Sequence, residues 1–191
     1  MIVEFSVLDT EMYSLEHLGD SSENAMLIEQ FETNENSRGL EYYLKDMAFY
    51  DEEHNLSRTY LVKDKTTQEL AGYFSLRTGL ITRQVQDNKF DSIPAIELAN
   101  FAVNSDYKKN HPDIKLLGFY IFKNFVIPLS ECFSKYLGIH ALYIYALPND
   151  RLIEHYGKMG FSRLPKEQEQ FVQFHVKPKY DEGCIFMYQV L

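Results

Sequence analysis

The sequence has no tryptophan, only two cysteines, and six prolines and nine glycines among 191 residues. Cys132 and Cys184 stand outside any C-x-x-C spacing and have no histidine at ligand spacing, which excludes a disulfide framework and a zinc centre as the basis of the fold. They read as buried thiols. The six histidines build no H-E-x-x-H or comparable set, so no metal is expected. A long hydrophobic run is also missing. The longest apolar stretch, near Phe119 to Ile127, is broken by Lys123 and Asn124, and no basic segment precedes an apolar one near the N-terminus. A membrane role is therefore not expected, and the chain reads as cytoplasmic. Repeats, low-complexity tracts and linkers are absent too, which points to one domain over residues 1–191.

Positive charge is scarce at the start. Residues 1–57 hold 14 acidic and 2 basic side chains, whereas residues 58–191 hold 14 acidic and 17 basic. Solvated faces of N-terminal helices would account for this, and so would attraction of a cationic substrate or partner. The pI near 5.1 lacks the basic footprint of a nucleic-acid binder. What is abundant is aromatic: 14 Phe and 14 Tyr within a 45% hydrophobic composition. A chain of this length buries roughly 70% of its extended surface, so a substantial core is available.

Along the chain, Ile2 to Leu8 alternates as a strand ended by Asp9 and Thr10. Residues 20–55 read as two helical pieces separated near Asn34 to Gly39, the second with Leu40, Tyr43, Leu44, Met47 and Ala48 at helical spacing. Thr59 to Val62 and Leu70 to Leu76 form a strand pair around the apolar-free Lys63 to Glu69, and residues 80–93 read as an insertion. Ile96 to Val103 is a central strand interrupted by Glu97 and Asn100. A buried carboxylate without a partner is costly, so Glu97 is either paired or faces a cleft. Ile114 to Leu137 reads as a helix that Pro128 should kink or split, ended by Gly138. Lys166 to Gln170 reads as a polar loop, Phe171 to Val176 as an alternating segment, and Cys184 to Val190 as the last strand.

The most informative stretch is Ala141 to Phe161. Its first seven residues are apolar or aromatic on both alternating faces, which suits a strand buried on both sides. Pro148 ends the ladder and Asn149 can cap a helix. Leu152, Ile153, Tyr156 and Met159 then fall on one face, and Gly160 closes the helix before Phe161.

Asn149, Leu152, Ile153, Tyr156, Gly160 and Phe161 together resemble the Asn-x-x-Ala-x-x-x-Tyr-x-x-x-Gly-Phe signature of the GNAT N-acetyltransferase superfamily, with Leu152 at the usual Ala position. The resemblance implies an α/β fold of α+β type: a mixed, mostly antiparallel sheet of about six or seven strands, with a splayed parallel central pair and helices on both faces. It implies acetyl-CoA as co-substrate, no metal, and an amine of a small molecule or protein as acceptor. The acidic helical region corresponds to the helix pair lining the acceptor entrance. Arg58-Thr59-Tyr60-Leu61-Val62 and Gly72-Tyr73-Phe74-Ser75-Leu76 also resemble a subgroup that includes tRNA-acetylating toxins, which keeps aminoacyl-tRNA as an alternative acceptor. A homodimer is left open.

By the same resemblance Tyr156 is the acid that protonates the departing thiolate, and an amide of the strand at Phe101, Ala102 and Val103 polarises the thioester. Glu97 is the candidate base. The family's pyrophosphate loop, Gln/Arg-x-x-Gly-x-Gly/Ala, is altered here. Asp113, Leu116 and Gly118 align with it and about five residues are added. Leu116, Leu117, Gly118 and Phe119 would supply helix-start amides, with Lys108, Lys109 and Lys115 as point charges; Asn149 and Leu152 complete the expected cofactor contacts. A third alternative is a non-catalytic binding module that keeps the fold with a degenerate loop.

Overall fold

The computed structural model describes residues 8–86, 89–175 and 183–191. Most of the expected strand at Ile2 to Leu8 lies outside these. The described elements begin with β1 (Tyr13–His17), whose alternate residues Tyr13 and Leu15 are buried. It pairs antiparallel with β2 (Arg58–Asp64), which pairs antiparallel with β3 (Leu70–Gln86). β4 (Lys89–Val103) runs parallel to β5 (Ala141–Ala146), with Ala95, Ile96 and Glu97 opposite Ala141, Leu142 and Tyr143. β7 (Ile185–Val190) is antiparallel to β5, and the two-residue β6 (Ser162–Arg163) closes the order β1-β2-β3-β4-β5-β7-β6. The expected seven-strand count, parallel central pair and mixed sheet are all present.

Of residues 80–93, expected as an insertion, 80–86 belong to β3 and 89–93 to β4, and the remaining two lie outside the described residues. These strands are 17 and 15 residues long. Outside the core the ladder needs only backbone groups, and exposed side chains there carry no burial pattern.

The helices are α1 (Asn24–Glu29), α2 (Arg38–Tyr42) and α3 (Ala48–Glu53), α4 (Ser105–Asn110), α5 (Leu117–Ile121) and α6 (Ile127–Leu137), α7 (Asp150–Lys158) and α8 (Lys166–His175). α2 and α3 are joined without a break by the wide turn Tyr43–Met47, and α5 and α6 by the wide turn Phe122–Val126. Pro128 follows that second wide turn directly. Looser i to i+5 bonding re-routes the carbonyls that the proline cannot serve, so the helix continues where a split was expected. α8 replaces the loop expected at 166–170 and the alternating segment expected from Phe171, whose end at Val176 lies outside the described residues. Pro165 precedes its first turn, Glu167 and Glu169 suit the positive end, and Val172 lies in the core while Glu169 is held by Arg163 at 2.8 and 2.9 Å. Phe171 and Val172 are adjacent apolar residues, which breaks strict alternation and suits one face of a helix.

The chain forms two compact units, residues 1–76 with 100–129, and residues 77–99 with 130–191. The first is built around Leu18, Ile28, Phe31, Leu44, Leu61 and Tyr73. The second is built around Ile81, Ala95, Ala141, Tyr143, Val172 and Phe186.

Candidate active site

In the second unit, β5 passes through Pro148 to Asn149, whose side chain accepts from the amides of Arg151 at 3.0 Å and Leu152 at 3.3 Å. This cap starts α7 where the sequence places it, and Gly160, with φ of 103°, takes the left-handed turn that returns the chain to Phe161. Tyr156 is half-buried, with the Phe161 ring edge-on at 5.8 Å. Burial pushes its phenol up to about 12, so it holds its proton throughout the neutral range and is chemically a donor.

Glu97, the expected base, is 4% exposed. Arg77 grips it through two nitrogens, Nε on Oε2 at 2.9 Å and Nη2 on Oε1 at 2.8 Å, and the Tyr143 hydroxyl donates to Oε2 at 3.0 Å. A carboxylate held by a planar fork and a phenol is a paired one, the first of the two alternatives that the sequence leaves open for Glu97. Tyr143 lies opposite Glu97 in the last recorded parallel pair between β4 and β5. Burial and the adjacent carboxylate raise its pKa strongly, as burial does for Tyr145. Gly79 is required by this arrangement, since a Cβ there would stand 2.0 Å from the Tyr143 oxygen. Sequence reasoning missed Arg77 and Tyr143. The available signal was an arginine directly after the apolar run Ala71 to Leu76, in a strand that must neighbour the buried carboxylate.

In the first unit, β4 ends at Phe101, Ala102 and Val103. The residues added to the loop fold into α4, capped by Asn104, whose oxygen accepts from Asp106 and Tyr107 while its Nδ2 donates to the Leu70 carbonyl at 2.8 Å. Tyr107 anchors the segment: it is buried, donates to Asp64 at 2.5 Å and stacks on His111 at 4.2 Å, and His111 meets Glu69 at 2.8 Å. These contacts raise the Tyr107 pKa, burial first and Asp64 second, and the Tyr107 hydroxyl helps hold Asp64 below the usual carboxylate range against its own desolvation. Neither Tyr107 nor His111 was singled out from the sequence.

Leu116 is the residue before α5 and adopts the left-handed conformation, with φ of 57° and ψ of 32°. It is 73% exposed while Leu117 is 2% exposed, so the turn directs one leucine to solvent and the next into the core. The first-turn amides at Leu117, Gly118 and Phe119 have no acceptor within their own helix. A Cβ on Gly118 would meet Val103 at 3.5 Å, ordinary contact, and neither side chain crowds the turn. Lys108 and Lys115 are exposed, while Lys109 is engaged with Asp106 at 2.5 Å. The start of this helix therefore presents backbone donors and mobile cations, the elements that an anionic phosphate group requires. Among the described residues no group of three or more metal-ligating side chains occurs, and no helix is long and apolar enough to cross a membrane.

No protein-family model matches the chain. Among solved structures, it is similar to a Tyr-to-Phe variant of the AtaT toxin bound to the C-terminus of the antitoxin AtaR and acetyl-CoA, with 17% identity, 93% of this chain and 92% of that one covered, and a TM-score of 0.65. The AtaTR complex bound with acetyl-CoA gives 19% identity, coverage of 95% and 94%, and a TM-score of 0.65. AtaT complexed with acetyl-methionyl-tRNA gives 17% identity, coverage of 93% and 94%, and a TM-score of 0.62. The chain shares its fold with these structures, in keeping with the mixed sheet that the signature at Asn149 to Phe161 implies.

Proposed function

We propose that this chain is an acetyl-CoA-dependent N-acetyltransferase whose acceptor is the α-amine of an aminoacyl-tRNA. The observation that carries the reading is the likeness of fold, over nearly the whole chain, to structures that hold acetyl-CoA or an acetylated methionyl-tRNA. The amides of Leu117, Gly118 and Phe119 take the pyrophosphate, with Lys108 and Lys115 as flanking charges, and an amide near Val103 polarises the thioester carbonyl. The amine nitrogen attacks that carbonyl carbon; a C–N bond forms, the C–S bond breaks, and the Tyr156 hydroxyl protonates the departing thiolate.

The engagement of Glu97 favours an α-amine over a lysine. With an α-amino pKa near 7.7, roughly a third of the acceptor is neutral at pH 7.4, whereas a lysine near 10.4 is neutral in about one molecule per thousand. An acceptor that arrives neutral needs only water to remove its proton after attack. The acidic residues 1–57 would repel tRNA, so the basic side chains of residues 58–191 are its expected contacts. Those same acidic residues favour, as a second reading, a cationic small-molecule or protein amine.

Incubation with acetyl-CoA and a panel of methionyl-tRNA, polyamines and lysine peptides, read by mass spectrometry, tests this. The expected product is acetyl on the aminoacyl nitrogen, with Tyr156→Phe lowering kcat by about 10²- to 10⁴-fold and leaving acetyl-CoA affinity nearly unchanged. Saturating acetyl-CoA, at about 100 times its Kd, should add roughly 2.7 kcal/mol and raise Tm by roughly 5 to 11 °C. Gly118→Ala should keep that shift and Gly118→Asp should remove it. A folded parent protein that shows no shift at millimolar acetyl-CoA is a binding module and not this enzyme.

A further inference from the structure

The continuous helix of residues 38–53 is apolar on two sides. Its inner side packs Leu44 and Ala48 into the core of the first unit. Its outer side carries Tyr42, Asp46, Phe49, Tyr50 and Glu53, a spacing of i, i+4, i+7, i+8 and i+11 that forms one stripe. All five are exposed, Tyr42 at 59%, Phe49 at 39% and Tyr50 at 51%, and Met47 beside them is 36% exposed. Single exposed hydrophobics are ordinary, but a run of three aromatics and a methionine on one helix face is the composition of a binding surface.

Charge selects the occupant. The stripe carries Asp46 and Glu53; of the two cations of this helix, Lys45 is engaged with Glu41 at 2.9 Å and Arg38 is exposed in the first turn, four residues before Tyr42. With 14 acidic and 2 basic side chains in residues 1–57, the surrounding potential is negative. A second copy would bring the same charge against itself, and phosphate backbones or anionic lipids would be repelled. We propose that this face docks an amphipathic protein segment whose apolar side chains cover Tyr42, Phe49 and Tyr50 and whose lysines or arginines meet Asp46 and Glu53, the helix-in-groove type of recognition. The stripe belongs to the acidic helical region whose family counterpart lines the acceptor entrance, so the binding test is run without acetyl-CoA and is read apart from acetyl transfer.

The test uses the full chain and a labelled amphipathic peptide of leucine and lysine at heptad spacing, with a leucine and glutamate peptide of the same pattern as control. Anisotropy should show binding of the lysine peptide alone. The Phe49→Ser, Tyr50→Ser double variant should weaken it at least tenfold, and raising salt from 50 to 300 mM should weaken it severalfold. These side chains are exposed, so Tm should be unchanged in the variant. Amide shifts on peptide addition should cluster in residues 42–53. Equal binding by parent and double variant, shifts centred elsewhere, or no binding of the lysine peptide would overturn the proposal. So would a parent dimer, by sedimentation, that the double variant abolishes, because a second copy would then own the face.

Discussion

Two regions that the sequence marks for chemistry are built by opposite means. In the second unit, Glu97 and Tyr143 are buried, and the half-buried Arg77 grips Glu97 through a short, two-pronged, charged contact. In the first, residues 104–118 leave backbone amides and lysines exposed, and are held by one buried aromatic, Tyr107, and one cap, Asn104. A buried charge network fixes geometry, since every alternative arrangement strands a charge away from water. A surface segment held at a few points keeps its other backbone groups available for a ligand. The first kind of construction makes a frame and the second makes a binding edge.

Removing one partner from the frame should produce the largest effect. Arg77→Met leaves the Glu97 carboxylate buried without its counter-ion, which costs about 3 to 5 kcal/mol and lowers Tm by roughly 6 to 20 °C in a calorimetric scan. A variant that melts within about 2 °C of the parent would show that Glu97 does not need its counter-ion, and the contrast between frame and edge would fail.

A smaller effect is expected at the binding edge. Asn104→Ala removes the α4 cap and a buried donor to the Leu70 carbonyl, about 1 to 3 kcal/mol in all. Its distinguishing mark is locality: acetyl-CoA affinity and proteolytic nicking within 104–116 should change more than they do in Arg77→Met compared at equal distance below Tm. If both variants lose cofactor affinity alike, the segment is not separately anchored.

The smallest effect concerns Tyr156 and is read against pH. Burial raises its pKa from 10 to about 12, so its contribution is fully present below pH 10 and is lost as pH rises through 12. The parent should lose stability between pH 10 and 12 relative to Tyr156→Phe, measured by denaturant midpoints. Parallel pH curves would mean that Tyr156 is solvated in the folded protein, and would weaken its assignment as a donor.

The residues of β5 are apolar on both faces and suit the middle of a sheet. Asn149 and Gly160 bracket α7 by capping and by left-handed freedom, and both are local effects that a sequence determines by itself. The parallel central pair came from the resemblance of this stretch to the GNAT signature, and with it the expected fold. Other features depended on residues distant in sequence. Glu97 meets Arg77, 20 positions away, and Tyr143, 46 positions away, only because strand register brings them together. Without that register, a paired carboxylate and a cleft-facing base read the same. The segment at 166–175 breaks strict alternation at Phe171 and Val172, and burial of Val172 holds it as a helix. The residues added after Val103 look like a solvated loop until Asp64 and Glu69 supply partners for Tyr107 and His111. Local propensity and patterning thus set where the elements lie, while the identity of each buried polar partner was decided by the tertiary structure, because desolvation makes pairing obligatory without naming the partner.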